Sequence, residues 1–141
     1  MAEKLLVGWR EWLSLPDLGI TKIKAKIDTG ARTSCLHAFK VEEFKKDNQS
    51  WVKFWLHPIQ QNTEFELVAE AQVIDIRKVT DSGGHTENRF VIKTTLNINN
   101  ESFPIEVTLT NRENMMFRML LGRTAMNDRI IVDPAASYLT Q

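Results

Sequence analysis

The tripeptide Asp28-Thr29-Gly30 is the part of the chain whose residue types are best suited to chemistry. It follows residues 20–27, in which apolar side chains alternate and share one face of a predicted strand,. A carboxylate at the end of a strand, followed by a hydroxyl residue and a glycine, is held on a tight, hydrogen-bonded turn. The glycine also lets a substrate or a second subunit approach the backbone closely. The motif by itself predicts either a catalytic carboxylate or an ordinary turn.

A second group of chemically capable residues follows the paired glycines Gly83 and Gly84, which favour a hairpin turn,. His85, Glu87 and Arg89 come at alternate positions, so in a strand they share one face,. An imidazole, a carboxylate and a guanidinium are costly to bury unpaired. This face is therefore predicted to be either exposed to solvent or part of a site. The hairpin is either a surface turn or a flap that closes over a substrate.

The elements that position these residues are predicted to be strands almost throughout. Turn signals at residues 15–19, 45–50, 60–63 and 99–102 separate short runs of alternating apolar and polar residues, and one of the predicted strands spans residues 33–41,. Residues 103–109 alternate most cleanly, although Pro104 indicates an edge or the start of a strand,. In the whole sequence, residues 122–128 give the one helical signal. Many short strands at close spacing favour an all-β fold, either a small barrel or a sandwich.

Composition limits the class of protein. The 141 residues, 43% of them hydrophobic and 26% charged, predict a single globular domain over residues 1–141,. The 18 basic and 18 acidic residues cancel, so no overall field favours nucleic acid or a membrane surface,. No apolar run in the sequence approaches membrane-spanning length,. The single cysteine, Cys35, excludes an intrachain disulfide and is typical of a reducing compartment,. We therefore expect a cytoplasmic protein that binds neither nucleic acid nor membrane.

The order of the motifs resembles that of retropepsin-like aspartic proteases. The chain has Asp-Thr-Gly-Ala near its N-terminus, a glycine-rich hairpin in the middle, and two apolar residues with Gly-Arg before a short predicted helix. Longer segments of the sequence are similar to those of one bacterial family, named "ATP-dependent zinc protease". Its members are often encoded beside a ribosomal-protein glutamate ligase of the ATP-grasp type. The resemblance extends over residues 5–139. It is carried by the segments at residues 8–11, 15–20, 24–34, 36–38, 84–89, 108–112, 116–123 and 132–134.

The resemblance implies a small closed barrel of the acid-protease type with one short C-terminal helix. It implies that Asp28 is the catalytic carboxylate, on a loop completed by Thr29 and Gly30. Hydrolysis by this mechanism needs two facing carboxylates, one to activate water and one to polarise the scissile carbonyl. One chain supplies one such carboxylate, so a homodimer with an Asp28 from each subunit on its twofold axis is expected. The later Asp81 is predicted to be a turn residue, because the chain is too short for two lobes.

The resemblance also implies which residues contact a peptide substrate and what else is needed. The expected substrate-binding residues are Ala31, Arg32, Gly83, Gly84, His85, Glu87 and Arg89. No cofactor is expected for a carboxylate dyad. The family name leaves a zinc protease open as an alternative, with His85, Glu87 and His37 as ligands, since three ligands and a water suffice for metal catalysis. Arg123 is expected to be structural and to pair with a carboxylate.

A non-catalytic module that binds acidic peptides is the remaining alternative. Guanidinium groups bind carboxylates through two parallel hydrogen bonds. Five arginines lie in or near the motifs, so a glutamate-rich tail is a plausible ligand; they are Arg32, Arg89, Arg112, Arg118 and Arg123. The sequence has no glycine-rich, lysine-containing loop that would cradle a phosphate,. Any use of ATP is therefore expected to belong to a partner, such as an ATP-grasp ligase.

Overall fold

The chain is built from strands, with one short α-helix and one 3₁₀ helix (Pro16–Leu18) among the residues that the structure describes. The computed structural model describes residues 3–58, 66–81, 83–111 and 116–140. The α-helix α1 spans Arg123–Met126, inside the predicted range of 122–128. The strands are β1 (Leu5–Val7), β2 (Arg10–Leu15), β3 (Ile20–Ile27), β4 (Ser34–His37), β5 (Lys40–Lys46), β6 (Gln49–Leu56), β7 (Leu67–Thr80), β8 (Thr86–Ile98), β9 (Glu101–Thr110), β10 (Met119–Leu121) and β11 (Ile130–Val132). The prediction of an all-β chain with one short C-terminal helix is confirmed.

Six of the strands close into a ring. They follow the order β2, β3, β10, β4, β9 and β8, and β8 pairs back with β2 where Ser14 lies opposite Asn97. The strands β7, β6 and β5 extend the sheet from β8 by antiparallel pairing. Separately, β1 and β11 form a parallel pair. The predicted small closed barrel is therefore confirmed.

Strand β9 shows how the alternation in the sequence becomes the core. Phe103 and Ile105 are buried while their neighbours reach solvent, but every residue from Val107 to Thr110 is buried. The second half differs because β4 pairs with β9 only from Val107 onward, which covers that half on both edges. Pro104 lies opposite Thr95 of β8, whose amide donates to Asp17 Oδ2 and not to β9, so this pair carries no ladder hydrogen bonds and the missing N–H of Pro104 removes none,.

The predicted strand over residues 33–41 is two strands. The amide of Ala38 donates to Thr110 of the barrel at 2.9 Å, whereas the next amide, of Phe39, donates to Trp55 of the extension at 2.9 Å. The chain therefore leaves the barrel at this point and enters a different part of the sheet.

The predicted turn at residues 60–63 lies outside the described residues, as do Ser82 and Arg112. Within the described ranges no helix has the length and apolarity needed to span a membrane.

Candidate active site

The loop after β3 holds Asp28 in a fixed orientation. The Asp28 amide donates to the carbonyl of Leu121 at 2.9 Å, and the Ala31 amide donates back to the Asp28 carbonyl at 3.2 Å. The carboxylate oxygen Oδ1 accepts a hydrogen bond from the Gly30 amide at 3.0 Å. Within the described residues, Oδ2 accepts no hydrogen bond from the protein. One carboxylate oxygen is thus held in place and the other is available to a proton, a water or a second carboxylate.

The start of α1 supports this loop through backbone hydrogen bonds. The amide of Arg123 donates to the Ala31 carbonyl at 2.8 Å, and the amide of Thr124 donates to the Arg32 carbonyl at 2.9 Å. Amides in the first turn of a helix have no acceptor within the helix, so they are free to bond the neighbouring loop. The loop after β3 and the chain segment before the last strand therefore fix one another.

The side chain of Arg123 adds a third link and corrects an expectation. Its Nη1 donates to the backbone carbonyl of Thr29 at 2.9 Å. The predicted structural role therefore holds, but the described partner is a carbonyl oxygen and not a carboxylate. A backbone carbonyl can replace a carboxylate as the partner of a guanidinium, because a guanidinium has five donors and no acceptor.

Gly122 is required for the close contact between these two segments, and its replacement is our first prediction. A Cβ at Gly122 would lie 2.6 Å from the carbonyl carbon of Thr33 and 2.9 Å from the amide nitrogen of Ser34. The Gly122 amide also donates to Ser34 Oγ at 3.0 Å. Because backbone atoms cannot move aside without shifting the loop, we expect Gly122→Ala to lower the free energy of unfolding by about 1–3 kcal/mol. Denaturant unfolding measures this change.

The matched control for that variant is Gly83→Ala in the hairpin. There the nearest atom to an added Cβ is the side-chain Nδ1 of His85, at 3.2 Å, which can move. We expect its unfolding free energy to stay within about 0.5 kcal/mol of the unaltered protein. Equal losses in both variants would contradict the assignment of Gly122 as a position of close backbone approach.

Asp28 lines a cavity of about 540 Å³. The cavity lies between the Asp28 loop and the last residues of β7, so the β7–β8 hairpin forms its other wall. Of the predicted substrate-binding residues, Ala31, Arg32 and Arg89 line it; the hairpin residues Gly83, Gly84, His85 and Glu87 are not among its lining residues. The full lining is Asp28, Gly30, Ala31, Arg32, Thr33, Cys35, Arg77, Lys78, Val79, Thr80, Asp81, Arg89, Thr108 and Leu120.

The hairpin turn is organised by Asp81. Its Oδ1 accepts hydrogen bonds from the amides of Gly83 and His85, both at 2.9 Å. The backbone φ of Gly84 is 83°, in the left-handed region that favours glycine,. The His85 ring is 86% exposed, with Nδ1 3.5 Å from Asp81 Oδ1. Asp81 therefore lies in the turn as predicted, and its carboxylate already has partners.

Glu87 and Arg89 are joined at the base of the hairpin. Arg89 Nε donates to Glu87 Oε1 at 2.5 Å, and Thr110 Oγ1 donates to the same oxygen at 2.6 Å. The Arg89 side chain is only 7% exposed, and its Nη1 lies 3.5 Å from Cys35 Sγ. His85 lies one residue before β8, and the Asp81 amide donates to its carbonyl at 2.8 Å, which continues the register of β7 with β8.

The residues proposed as zinc ligands do not form a metal-binding group. His37 is 2% exposed in β4, whereas His85 reaches solvent at the tip of the hairpin. Across residues 3–58, 66–81, 83–111 and 116–140, no group of three or more His, Cys, Asp or Glu side chains is arranged to hold a metal ion. In the part of the chain that the structure describes, the three proposed ligands His37, His85 and Glu87 therefore do not fit a catalytic zinc.

The cationic groups around the cavity differ in how far they are already neutralised. Arg77 pairs with Asp75 at 2.8 Å and with Glu106 at 2.9 Å. The hydrogen bond from Arg77 lowers the pKa of Asp75, and the same bond raises the pKa of Arg77, so both stay charged,. In the described part of the chain, Arg32 and Lys78 make no ion pair, and both are exposed. These two retain the most charge to offer a ligand.

Several residues that line the cavity are not predicted from the sequence. Leu120, Cys35 and Thr108 lie in one row across β10, β4 and β9, and they form part of the cavity floor. In the sequence they read as ordinary apolar or strand-forming positions. The parallel pairing of β4 with β9, which brings residue 35 beside residue 108, leaves no local signal.

Fold and site together define the class. A closed β-barrel that presents an Asp-Thr-Gly carboxylate opposite a long hairpin is the arrangement of retropepsin-like aspartic endopeptidases. The chain belongs to the RimB-like family, described as retropepsin-like aspartic endopeptidase RimB, whose family model matches residues 6–141. The resemblance found in the sequence is thereby confirmed.

Related proteins of known sequence or structure extend this result. A Legionella pneumophila protein of unknown function, solved by crystallography, matches with a TM-score of 0.82 at 27% identity, over 99% of this chain and 100% of that one. A probable alpha-L-glutamate ligase of Parasynechococcus marenigrum is 47% identical over 138 residues, and one of Shewanella pealeana is 43% identical over 135. These matches cover 98% and 96% of this chain but 30% of each relative. The chain therefore spans less than a third of the length of these ligases.

Proposed function

We propose that the protein is a peptidase whose catalytic group is a dyad of two Asp28 carboxylates, one from each subunit of a homodimer. The observation that carries this proposal is the Asp28 loop. Its carboxylate lines the cavity, has one oxygen fixed by the Gly30 amide, and has no described protein partner on the other. A partly exposed carboxylate on a loop whose Thr29 and Gly30 are exposed suits contact with a second copy.

The mechanism follows from placing two such loops face to face. Two carboxylates in direct contact share one proton, because the repulsion between two negative charges prevents both from being ionised at once. The ionised one takes a proton from water, which attacks the peptide carbonyl, while the protonated one donates a hydrogen bond to the carbonyl oxygen. The Gly30 amide keeps each carboxyl oriented during this exchange. The β7–β8 hairpin would limit the access of bulk water to the cavity.

Subunit mixing tests the dimer and the dyad together. An Asp28→Asn chain mixed in equal amount with the unaltered chain leaves about a quarter of random dimers with two carboxylates. We therefore expect peptidase activity per dimer near a quarter of the unmixed value after exchange. Activity near a half would show that each subunit works alone, and would rule out a shared dyad. Native mass spectrometry of the mixture, with one of the two chains isotopically labelled, confirms that exchange has taken place.

The charges around the cavity favour an acidic substrate, such as a glutamate-rich tail. Four basic residues line the cavity against two acidic ones. Arg77 is already paired with two carboxylates. Arg89 donates to Glu87 through Nε and to Cys35 Sγ through Nη1, so Nη2 is the nitrogen that remains for a carboxylate of the substrate,. The exposed Arg32 and Lys78 add positive charge at the rim.

Replacement of Arg89 tests this preference. We expect Arg89→Gln to reduce kcat/KM for an acidic peptide about 10- to 100-fold, because a hydrogen bond to a charged group is lost. A neutral peptide of equal length should lose much less. The measurement is a pair of steady-state assays at equal ionic strength.

Two controls accompany the Arg89 variant. The double variant Arg89→Gln with Glu87→Gln removes the carboxylate that would otherwise lose its partner. Arg129→Gln removes an exposed guanidinium that lies over Phe103, away from the cavity lining. Equal losses on acidic and neutral peptides, in the single and the double variant, would contradict a role for Arg89 in specificity.

A binding module without catalysis is the second candidate, and the same basic lining favours it. The cavity would hold an acidic peptide through Arg89, Arg32 and Lys78 without cleaving it. Titration of the unaltered protein with an acidic peptide distinguishes the two functions. Salt-sensitive binding with an intact peptide recovered at the end supports the module, whereas cleavage products support the peptidase.

The similarity to ligases suggests a partner. The relatives named probable alpha-L-glutamate ligase contain a region like this chain within a longer protein. We infer that the chain works in the same pathway as an ATP-grasp ligase, that the ligase is the partner that consumes ATP, and that both act in the cytoplasm. Removal of glutamate residues by one activity and their addition by the other would be opposing reactions on one acidic substrate.

A further inference from the structure

A basic surface lies beside the cavity, on strands that the proposed mechanism uses only as supports. Arg10 of β2 and the lysines of β3 occupy alternate positions whose intervening neighbours are buried. The only acidic residue in either strand, Glu11, is fully buried. We call this surface the β2–β3 basic face; it consists of Arg10, Lys22, Lys24 and Lys26 with Trp12 and Tyr138.

Three of the four cations of this face, Arg10, Lys22 and Lys24, lie over aromatic rings and not beside carboxylates. Lys22 Nζ lies 4.4 Å from the centroid of the Trp12 ring, and Lys24 Nζ lies 5.1 Å from it. The guanidinium carbon of Arg10 lies 4.9 Å from the Tyr138 ring. In the described ranges none of the four cations takes part in an ion pair, while Arg77 and Arg89 do. Their full positive charge is therefore available to a partner.

The pairing register joins this face to the floor of the cavity. Lys26 lies opposite Leu120 of β10 on one side and opposite Arg10 of β2 on the other. Leu120 lines the cavity and pairs with Cys35, which also lines it. Residues paired at one level of a sheet share a face, so the row continues from the cavity outward through Lys26 to Arg10. Asp28 follows directly at the end of β3.

The spacing of the lysines indicates the form of the partner. Alternate residues of a strand lie about 6.6 Å apart, so Lys22, Lys24 and Lys26 present a row of ammonium groups at that interval. An extended acidic peptide carries alternate carboxylates at the same interval. We propose that the β2–β3 basic face binds the part of an extended acidic polypeptide that lies outside the cavity. This proposal rests on the acidic substrate preference described above, but it does not require that the peptide be cleaved.

Binding to a non-cleaving protein tests the surface separately from catalysis. In an Asp28→Asn background, fluorescence anisotropy compares glutamate peptides of about 4 and about 12 residues, the longer of which spans about 40 Å when extended. We expect Lys22→Gln/Lys24→Gln/Lys26→Gln to weaken binding of the long peptide about tenfold. Binding of the short peptide should change less than about twofold, since it is held in the cavity.

The matched control removes three exposed lysines of β5, as Lys40→Gln/Lys45→Gln/Lys46→Gln. Its charge change is the same, and Lys40 and Lys46 also lie over tryptophan rings, at 4.6 Å each. We expect no more than about a twofold effect on the long peptide. Equal weakening by both triple variants would overturn the proposal, since net charge alone would explain it. So would an equal effect on long and short peptides.

Two further readouts decide between partners and between proposals. Amide chemical shifts at residues 22–26 should move on addition of the long peptide, and unmoved shifts there would overturn the surface. A single-stranded RNA of about 12 nucleotides that bound the same face more tightly than the peptide would also overturn it in favour of nucleic acid. Intact peptide after incubation with the unaltered protein would refute the peptidase while leaving these binding results to stand.

Discussion

Asp28→Asn is expected to abolish peptidase activity, with a fall in kcat of about 10²–10⁴ or more, since proton transfer by a positioned side chain contributes that much. The asparagine keeps the size of the side chain and an oxygen that accepts from the Gly30 amide, so the loop should keep its shape. It cannot take a proton from water or share one with its counterpart. Hydrolysis of an acidic peptide, followed by separation of the products, measures the effect.

The chain offers a close control for this variant. Like Asp28 Oδ1, Asp133 Oδ1 accepts a hydrogen bond from the amide two residues on, that of Ala135, at 2.9 Å. Asp133 is not among the cavity residues. Asp133→Asn should therefore retain full activity. If Asp28→Asn were as active as Asp133→Asn, the proposed peptidase mechanism would be wrong; if both were inactive, the loss would reflect carboxylate-stabilised loops and not catalysis.

The largest expected effect on stability comes from Glu11. Its carboxylate is fully buried and accepts four hydrogen bonds. Oε2 accepts from the amides of Gly8 at 2.7 Å and Leu139 at 2.8 Å, and Oε1 accepts from the Thr140 amide at 3.1 Å and the Thr140 hydroxyl at 2.9 Å. This one side chain therefore fastens the C-terminal segment to β2.

We expect Glu11→Ala to lower the free energy of unfolding by about 3–5 kcal/mol, because several buried N–H groups lose their acceptor at once. That is a large part of the total stability of about 5–15 kcal/mol that a domain has. The melting temperature should fall by about 10–20 °C, measured by calorimetry or circular dichroism. Glu11→Gln, which keeps one acceptor oxygen, should lose less.

Glu101→Ala serves as the control for Glu11. Glu101 is an exposed carboxylate at the start of β9, and its removal should change the unfolding free energy by less than about 0.5 kcal/mol,. A loss for Glu11→Ala no larger than that of Glu101→Ala would contradict the fastening role. If Glu11→Gln lost no more stability than Glu101→Ala while Glu11→Ala lost about 3–5 kcal/mol, side-chain shape and not the second acceptor oxygen would be what matters.

The burial of Glu11 follows a pattern in the sequence, but its hydrogen-bond partners do not. In β2, Glu11 alternates with the buried residues Leu13 and Leu15, so the alternation predicts that its side chain points into the barrel,. The pattern does not say what a buried carboxylate would meet. Its donors come from residues 139 and 140, some 128 positions away along the chain, and only the folded chain brings them together.

The hairpin gives the opposite lesson. Paired glycines and the alternation after them predicted a turn near residue 83 and a strand beyond it, and Asp81, Gly84 and β8 agree. Of the three residues predicted to share a face, Glu87 and Arg89 lie in β8, and His85 lies one residue before the strand begins. A one-residue difference in where the strand begins decides whether a side chain belongs to the turn or to the ladder, and propensity does not fix such boundaries.

The sequence by itself determined the strand-rich class, the short C-terminal helix, and the Asp28 loop at the end of an apolar strand. These are local properties, set by alternation, turn residues and a distinctive run of motifs. The tertiary structure decided which side chains face the cavity, which of the arginines are already neutralised, and that β3 carries its lysines outward from the cavity floor. Those features depend on pairing between strands far apart in the chain, such as β3 with β10 and β4 with β9. Register between distant strands is set by packing of the whole barrel, so no short stretch of residues contains it.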